Sequence, residues 1–204
     1  PDRETFAVID GYHAFMALPV NLGAIASRAF YIAGGYKYAM AGEGVCFMHC
    51  PPGYGERPRD TGWYAEFGAL GKGRSGVVAY GTDASRFAGA TFDPSGLYRF
   101  NAVMDWLTRE KLDVAAMHAY CLKLQQSFLD ALGRARTSLN PINLMIADEN
   151  RRGRFLTFRT NEAARLDSEL SRRNIIVDHR DDRLRIGFGI YQDESDVARL
   201  VDAL

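Results

Sequence analysis

Asp10, His13 and Lys37 are the residues whose types and spacing could do covalent chemistry together. Lys37 lies in FYIAGGYKYAMAGEGVCFMH, residues 30–49, held between Tyr36 and Tyr38 in a loop rich in glycine and alanine. A lysine set among aromatic rings and apolar strands is partly desolvated, which favours the neutral amine that condenses with a carbonyl. The bland alternative is a lysine snorkelling beside a turn with its ammonium in water. Asp10 ends the apolar run Phe6-Ala7-Val8-Ile9. An acid at the carboxyl end of a strand in an α/β sheet points into the crevice where such folds bind ligands. Otherwise Asp10 caps the following turn and His13 packs at the surface. Cys46, His49 and Cys50 imitate a metal cluster, but Cys46 falls in an apolar run and no second pair follows, so metal is not expected.

Short apolar runs bounded by glycine read as buried strands, here Phe6–Ile9, Phe30–Ala33 and Val45–His49. Gly34, Gly35, Gly42 and Gly44 allow positive φ or close backbone approach around Lys37. Residues 51–76 carry too much Gly and Pro for a regular element, yet Trp63 and Tyr64 argue for burial. A surface across which two subunits pair satisfies both features. Val77–Tyr80 is a further strand candidate. From Leu97 the period turns helical, with Leu97, Phe100, Val103, Met104 and Leu107 on one face. A second helix is expected from Asp113 to Leu132, with Met117, Cys121, Leu124 and Phe128 inward and Gly133 as its cap. The tail reads β-α-β-β-α. It has a strand at Phe155–Phe158, a helix capped by Thr160 or Asn161, strands at Ile175–Val177 and Leu184–Phe188 around a turn at 178–182, and a helix capped by Asp193. The expected division is 1–96, part of a larger α/β domain, and 97–204, a small α+β domain.

The chain has 204 residues, and its 25 Lys and Arg equal its 25 Asp and Glu, so charge draws it neither to nucleic acid nor to anionic lipid. No apolar run reaches membrane-spanning length. Three cysteines are too few and too irregular for a disulfide frame, which suggests a reducing, cytoplasmic setting. The chain opens at Pro1 almost directly into a strand-like run, and an amino-terminal part of the same protein is expected beyond it.

Three motifs carry a family resemblance. Val8-Ile9-Asp10-Gly11-Tyr12-His13 resembles a strand ending in D-x-x-H, Gly34-Gly35-Tyr36-Lys37-Tyr38 resembles a G-Y-K-Y loop, and Leu184-Arg185-Ile186-Gly187-Phe188 resembles a late strand with an arginine. Lys37 follows Asp10 by 27 positions. In this order they resemble the carboxyl-terminal part of the pyridoxal 5'-phosphate-dependent class V aminotransferase family, fold type I, and within it the kynureninases. The resemblance implies an α/β fold and a homodimer. It implies Lys37 as the Schiff-base lysine and Asp10 as partner of the pyridinium nitrogen, with His13 nearby. Tyr36 would bond the phosphate, Trp63 and Thr91 would reach it from the partner subunit, and Arg185 would hold the substrate carboxylate. Each has a structural alternative: packing for Tyr36, an interface anchor for Trp63, a turn residue for Thr91, an outward strand residue for Arg185. Arg180 could exchange roles with Arg185.

The chain also departs from the pattern. Ala90 stands where the family has glycine before the Thr, and Tyr64-Ala65-Glu66 follow Trp63 in place of a Gly-His element. The second change bears on recognition of an aryl ketone. No cysteine lies beyond Cys121, which disfavours a desulfurase. The expectation is an amino-acid enzyme that cleaves Cβ–Cγ hydrolytically, as a kynureninase does. An aminotransferase or related lyase is the alternative, and a cofactor-free binding module of the same fold is the third reading.

Overall fold

The computed structural model describes residues 4–73 and 76–204. Arg74 and Ser75, in the irregular segment, lie outside the described residues. The chain forms two compact units: one runs to Phe15 and then over Val20–Trp106, the other comprises Met16–Pro19 and Leu107–Leu204. The boundary between Trp106 and Leu107 falls inside the helix Ser95–Arg109.

The first unit is built on a three-stranded sheet of order β1-β2-β3 (Ala7–Asp10, Ala29–Gly34 and Cys46–His49). β1 and β2 are parallel, with Asp10 opposite Ile32, and β3 is antiparallel to β2, with Cys46 opposite Gly34. Central β2 is covered on both faces, so its run has no alternation and Phe30, Tyr31 and Ala33 are all buried. Phe30 packs on Phe6, Tyr54 and Phe87. β1 corrects the expectation of a buried strand: it is a sheet edge, and Val8 is 60% exposed.

Two further expectations change here. The segment thought irregular contains a 3-10 helix, Trp63–Lys72. Val77–Tyr80 joins no ladder. Two of its groups bond elsewhere: Ala79 N–H donates to Glu66 Oε1 at 3.0 Å, and the Tyr80 hydroxyl donates to the Pro58 carbonyl at 2.8 Å. Sequence reasoning gave no role to Arg86, which is buried beside the Phe87 ring. Its guanidinium donates to the carbonyls of Pro51, Tyr54, Gly55 and Asp83 and so ties the long segment to the turn that follows it. Helix α1 (Ser95–Arg109) begins where Asp93 Oδ1 accepts from Ser95 N–H.

The second unit sets helices against an antiparallel sheet of order β4-β6-β5 (Phe155–Arg159, Arg183–Gly187, Asp178–Arg180). The helices are α2 (Val114–Arg134), α3 (Ala163–Arg172) and α4 (Glu194–Ala203). Alternation decides the faces: Leu156 and Phe158 of β4 and Leu184 and Ile186 of β6 enter the core with Leu124, Phe128, Leu166 and Leu170. Asp113 caps α2, and Asp193 closes a capping box on α4. Gly133 is not the cap of α2. The helix runs through it to Arg134, and Ala135 N–H closes it on the Ala131 carbonyl.

The strand expected at Ile175–Val177 forms at Asp178–Arg180 instead. The turn is tighter than expected. Arg180 pairs with Arg183 across two residues, Asp181 and Asp182, and Asp181 adopts φ 51°. A two-residue hairpin turn with left-handed backbone pulls the ladder up to Asp178 and leaves Ile176 80% exposed. Neither Thr160 nor Asn161 is the cap of α3. That position is Glu162, whose N–H meets the Thr160 hydroxyl. No helix among the described residues is long and apolar enough to cross a membrane.

Candidate active site

The parallel pairing of β1 and β2 continues past Asp10, because Gly11 N–H donates to the Ile32 carbonyl at 2.8 Å. Asp10 is exposed and its Oδ1 accepts from Tyr12 N–H at 3.0 Å. This Asx turn, followed by the Ala14 and Phe15 N–H groups on the Gly11 carbonyl, reverses the chain and delivers Tyr12 and His13 beside the end of β2. The Tyr12 ring lies across Gly34, where an added Cβ would stand 2.6 Å from Tyr12 Cε1. That close approach is why β2 ends in glycine.

The Lys37 loop is closed by backbone bonds from Gly35 N–H to Val45, from Ala41 N–H to Gly35 and from Met40 N–H to Lys37. Left-handed Gly42 and Gly44, with φ of 70° and 94°, complete the turn, and Arg99 of α1 binds the Ala41 and Glu43 carbonyls. Lys37 is thereby held half-buried, with Nζ 3.1 Å from His13 Nε2. The same ammonium lies 5.7 Å and 5.6 Å from the ring centroids of Tyr12 and Tyr36, within cation–π range.

The structure therefore gathers Asp10, His13, Tyr36 and Lys37 around one residue that sequence reasoning left without a role, Tyr12. Tyr12 contacts Tyr36, with ring centroids 5.6 Å apart, and hydrogen-bonds Cys46. Burial raises its phenol above the usual range, and the neighbouring Cys46, Tyr36 and Asp10 add to the effect. The signal was in the sequence: an aromatic two residues past a strand-end acid, and a Gly-Gly pair able to receive its ring.

Trp63 and Thr91 belong to a second group in the same unit. Gly62 N–H bonds the Ala88 carbonyl and Tyr64 N–H the Gly89 carbonyl, so the strip carrying Trp63 lies along the strip leading to Thr91. Gly62 permits this contact, since a Cβ there would meet the Gly89 oxygen at 2.4 Å. Trp63 is 50% exposed and packs edge-on against Tyr64, while Thr91 is exposed. Glu66, in the departing segment, binds the Ala79 N–H.

In the second unit Arg185 sits on β6, on the sheet face away from the helices, opposite Thr157 of β4 and Asp178 of β5. Its Nη2 pairs with Asp178 Oδ2, and the Phe155 ring centroid is 5.5 Å from its guanidinium carbon. Arg180 faces Arg183, one row further along the hairpin. Cys121 is buried in α2, whereas Cys46 is exposed on β3.

Three comparisons bear on this arrangement. The family model of the kynureninase C-terminal domain matches residues 117–204. No curated protein sequence matches the chain. Among solved structures, a cysteine desulfurase from Escherichia coli superposes with TM-score 0.76 at 16% identity, over 98% of this chain and 51% of that one. The apo cysteine desulfurase of Thermococcus onnurineus gives TM-score 0.76 at 15% identity, over 98% and 54%. Alanine–glyoxylate aminotransferase from Nostoc gives TM-score 0.62 at 16% identity, over 98% and 52%. The chain thus spans about half the length of the structures it matches.

Proposed function

We propose that this chain, whose fold is that of the carboxyl-terminal part of the fold type I, class V aminotransferase group, carries the lysine side of a pyridoxal 5'-phosphate site and acts on an amino acid in the manner of a kynureninase. The observation that carries the reading is Lys37 Nζ, 3.1 Å from His13 Nε2 and against the rings of Tyr36 and Tyr12, with Tyr12 and His13 on the turn that follows Asp10. The donor set fits the cofactor: an accessible carboxylate for the ring nitrogen, a primary amine for the aldehyde and a phenol for the phosphate. When bound, the cofactor supplies an electron sink for the substrate α-carbon.

The chain's own residues then divide the work. The Asp10 charge holds a proton at the pyridine nitrogen. Lys37 Nζ would hold the cofactor at its aldehyde carbon, and as a free amine it would carry the proton of the substrate Cα. His13 Nε2, 3.1 Å from Lys37 Nζ, would hold the amine in place by a hydrogen bond. Tyr36 donates to the phosphate. Arg185 holds the α-carboxylate through a bidentate pair. Trp63 and Thr91 serve the phosphate of a second copy across the exposed face of the 3-10 helix, which makes the working form a homodimer. Residues 1–96 serve the large cofactor domain and 97–204 the small one, and the protein works in the cytoplasm together with an amino-terminal part.

The family-model match over residues 117–204 supports a kynureninase-type outcome, hydrolysis of the Cβ–Cγ bond. One observation favours the alternative, a class V aminotransferase or lyase with another amino acid. Tyr64-Ala65-Glu66 stand where the kynureninase pattern has a Gly-His element, and Glu66 accepts from the Ala79 N–H. A desulfurase is disfavoured, since the one cysteine of the second unit is buried. The test uses the full-length protein. An absorbance band at roughly 420 nm with added cofactor, lost in Lys37→Ala, supports the reading. A colourless protein points to a cofactor-free binding module. Release of anthranilate from kynurenine separates hydrolase from aminotransferase.

A further inference from the structure

We infer that Asp178 is the positioning residue for Arg185: its carboxylate oxygen tethers the guanidinium so that the remaining fork is presented to a carboxylate ligand. The inference rests on the reading of Arg185 as the carboxylate-binding residue, and adds a residue to that site.

The sheet register carries the argument. β6 is the central strand of its sheet, so the side chain at 185 has a neighbour on each side, Thr157 on β4 and Asp178 on β5. Directly opposed residues are the closest side-chain pairs a sheet provides. Phe155, one row away on β4, places its ring against the guanidinium and limits its rotation. Arg185 is thus bounded by a ring and held by an acid. Asp178 takes one of the two Nη2 hydrogens, which leaves the other, together with the N–H beside it on Nε or Nη1, as the fork for a ligand carboxylate. A long side chain with four rotatable bonds binds a planar anion poorly unless its fork is already oriented, because the lost rotamer freedom is subtracted from affinity.

Asp178 could instead act as a competitor, an internal carboxylate that a ligand must displace. Exposure decides against this. The Asp178 side chain is 51% exposed and that of Arg185 26%. Water therefore screens the charge of Asp178 toward an incoming anion, while its directional hydrogen bond persists. What matters is then the acceptor oxygen and not the negative charge, and this separates the two roles experimentally.

The test uses the full-length protein loaded with cofactor. Binding of 3-phenylpropanoate, a carboxylate with no amino group to react, is measured by titration calorimetry. Folding of each variant is checked by circular dichroism and by its cofactor absorbance. Asp178→Ala should weaken binding about tenfold, as expected when one immobilised rotamer-rich side chain is set free. Asp178→Asn, which keeps an acceptor oxygen, should bind within about threefold of the parent. In an Arg185→Met background Asp178→Ala should change nothing further, because it acts only through Arg185. With the amino-acid substrate, KM should rise in Asp178→Ala while kcat stays within about twofold.

Binding that is unchanged or tighter in Asp178→Ala overturns the inference, as does Asp178→Asn behaving like the alanine variant. If Arg185→Met binds the probe as tightly as the parent, the reading of Arg185 fails and takes this inference with it. If Arg185→Met weakens binding and Asp178→Ala does not, only the inference fails.

Discussion

Gly34→Ala should disturb the lysine site more than its single methyl group suggests. The added Cβ would stand 2.6 Å from Tyr12 Cε1 and 3.1 Å from the Val45 carbonyl oxygen. Carbon atoms rest near 3.5–4.0 Å, by roughly which measure the Tyr12 ring must retreat by about 1 Å. Overpacking of this kind costs about 1–3 kcal/mol, and loss of the Tyr12–Tyr36 ring contact adds about 0.5–1.5 kcal/mol. The sum, about 1.5–4.5 kcal/mol, lowers Tm by roughly 4–8 °C per kcal/mol in a unit of about 100 residues. Gly68→Ala is the control, since nothing lies within 4 Å of its Cβ position and its φ is unexceptional. Scanning calorimetry of the full-length protein measures both. The sharper assay is a double-mutant cycle: in a Tyr12→Ala background the clash partner is gone, and Gly34→Ala should cost at least about 1 kcal/mol less than it does in the parent. Equal costs in the two backgrounds would refute the claim that the Tyr12 ring is what requires glycine at this position.

Arg86→Met should destabilise the first unit by about 3–5 kcal/mol, because four carbonyls lose a buried donor together, and urea denaturation would read this as a lower midpoint at similar slope. Asp83, Asp93 and Asp193 each accept hydrogen bonds from a serine two residues on, which holds their carboxyls below the usual carboxylate range. The folded value lies below the unfolded one, so each contribution is complete above the unfolded pKa and is lost as pH falls through the folded pKa. Replacing Asp193 by Asn should therefore flatten the acid limb of a stability–pH profile followed by circular dichroism, with little change in slope near neutrality.

Where local chemistry is sufficient, the sequence by itself determined the outcome. The Asp193 start of α4, the apolar stripe of α2 and the β-α-β-β-α order of the tail depend on residues a few positions apart, and they form in the expected order even where β5 and the cap of α3 are shifted. Asp10 at a strand end and Lys37 in a glycine loop were legible for the same reason. The tertiary structure alone decided that Tyr12 crosses Gly34, that Arg86 draws four carbonyls to itself and that Asp178 stands beside Arg185. It also decided that β1 is an exposed edge and that a tight Asp181-Asp182 turn moves β5 along the chain. These depend on which strands pair and in what register, and a one-residue slip reverses every face. Periodicity fixes how a segment folds, but the partner a side chain meets is chosen by segments distant in the chain.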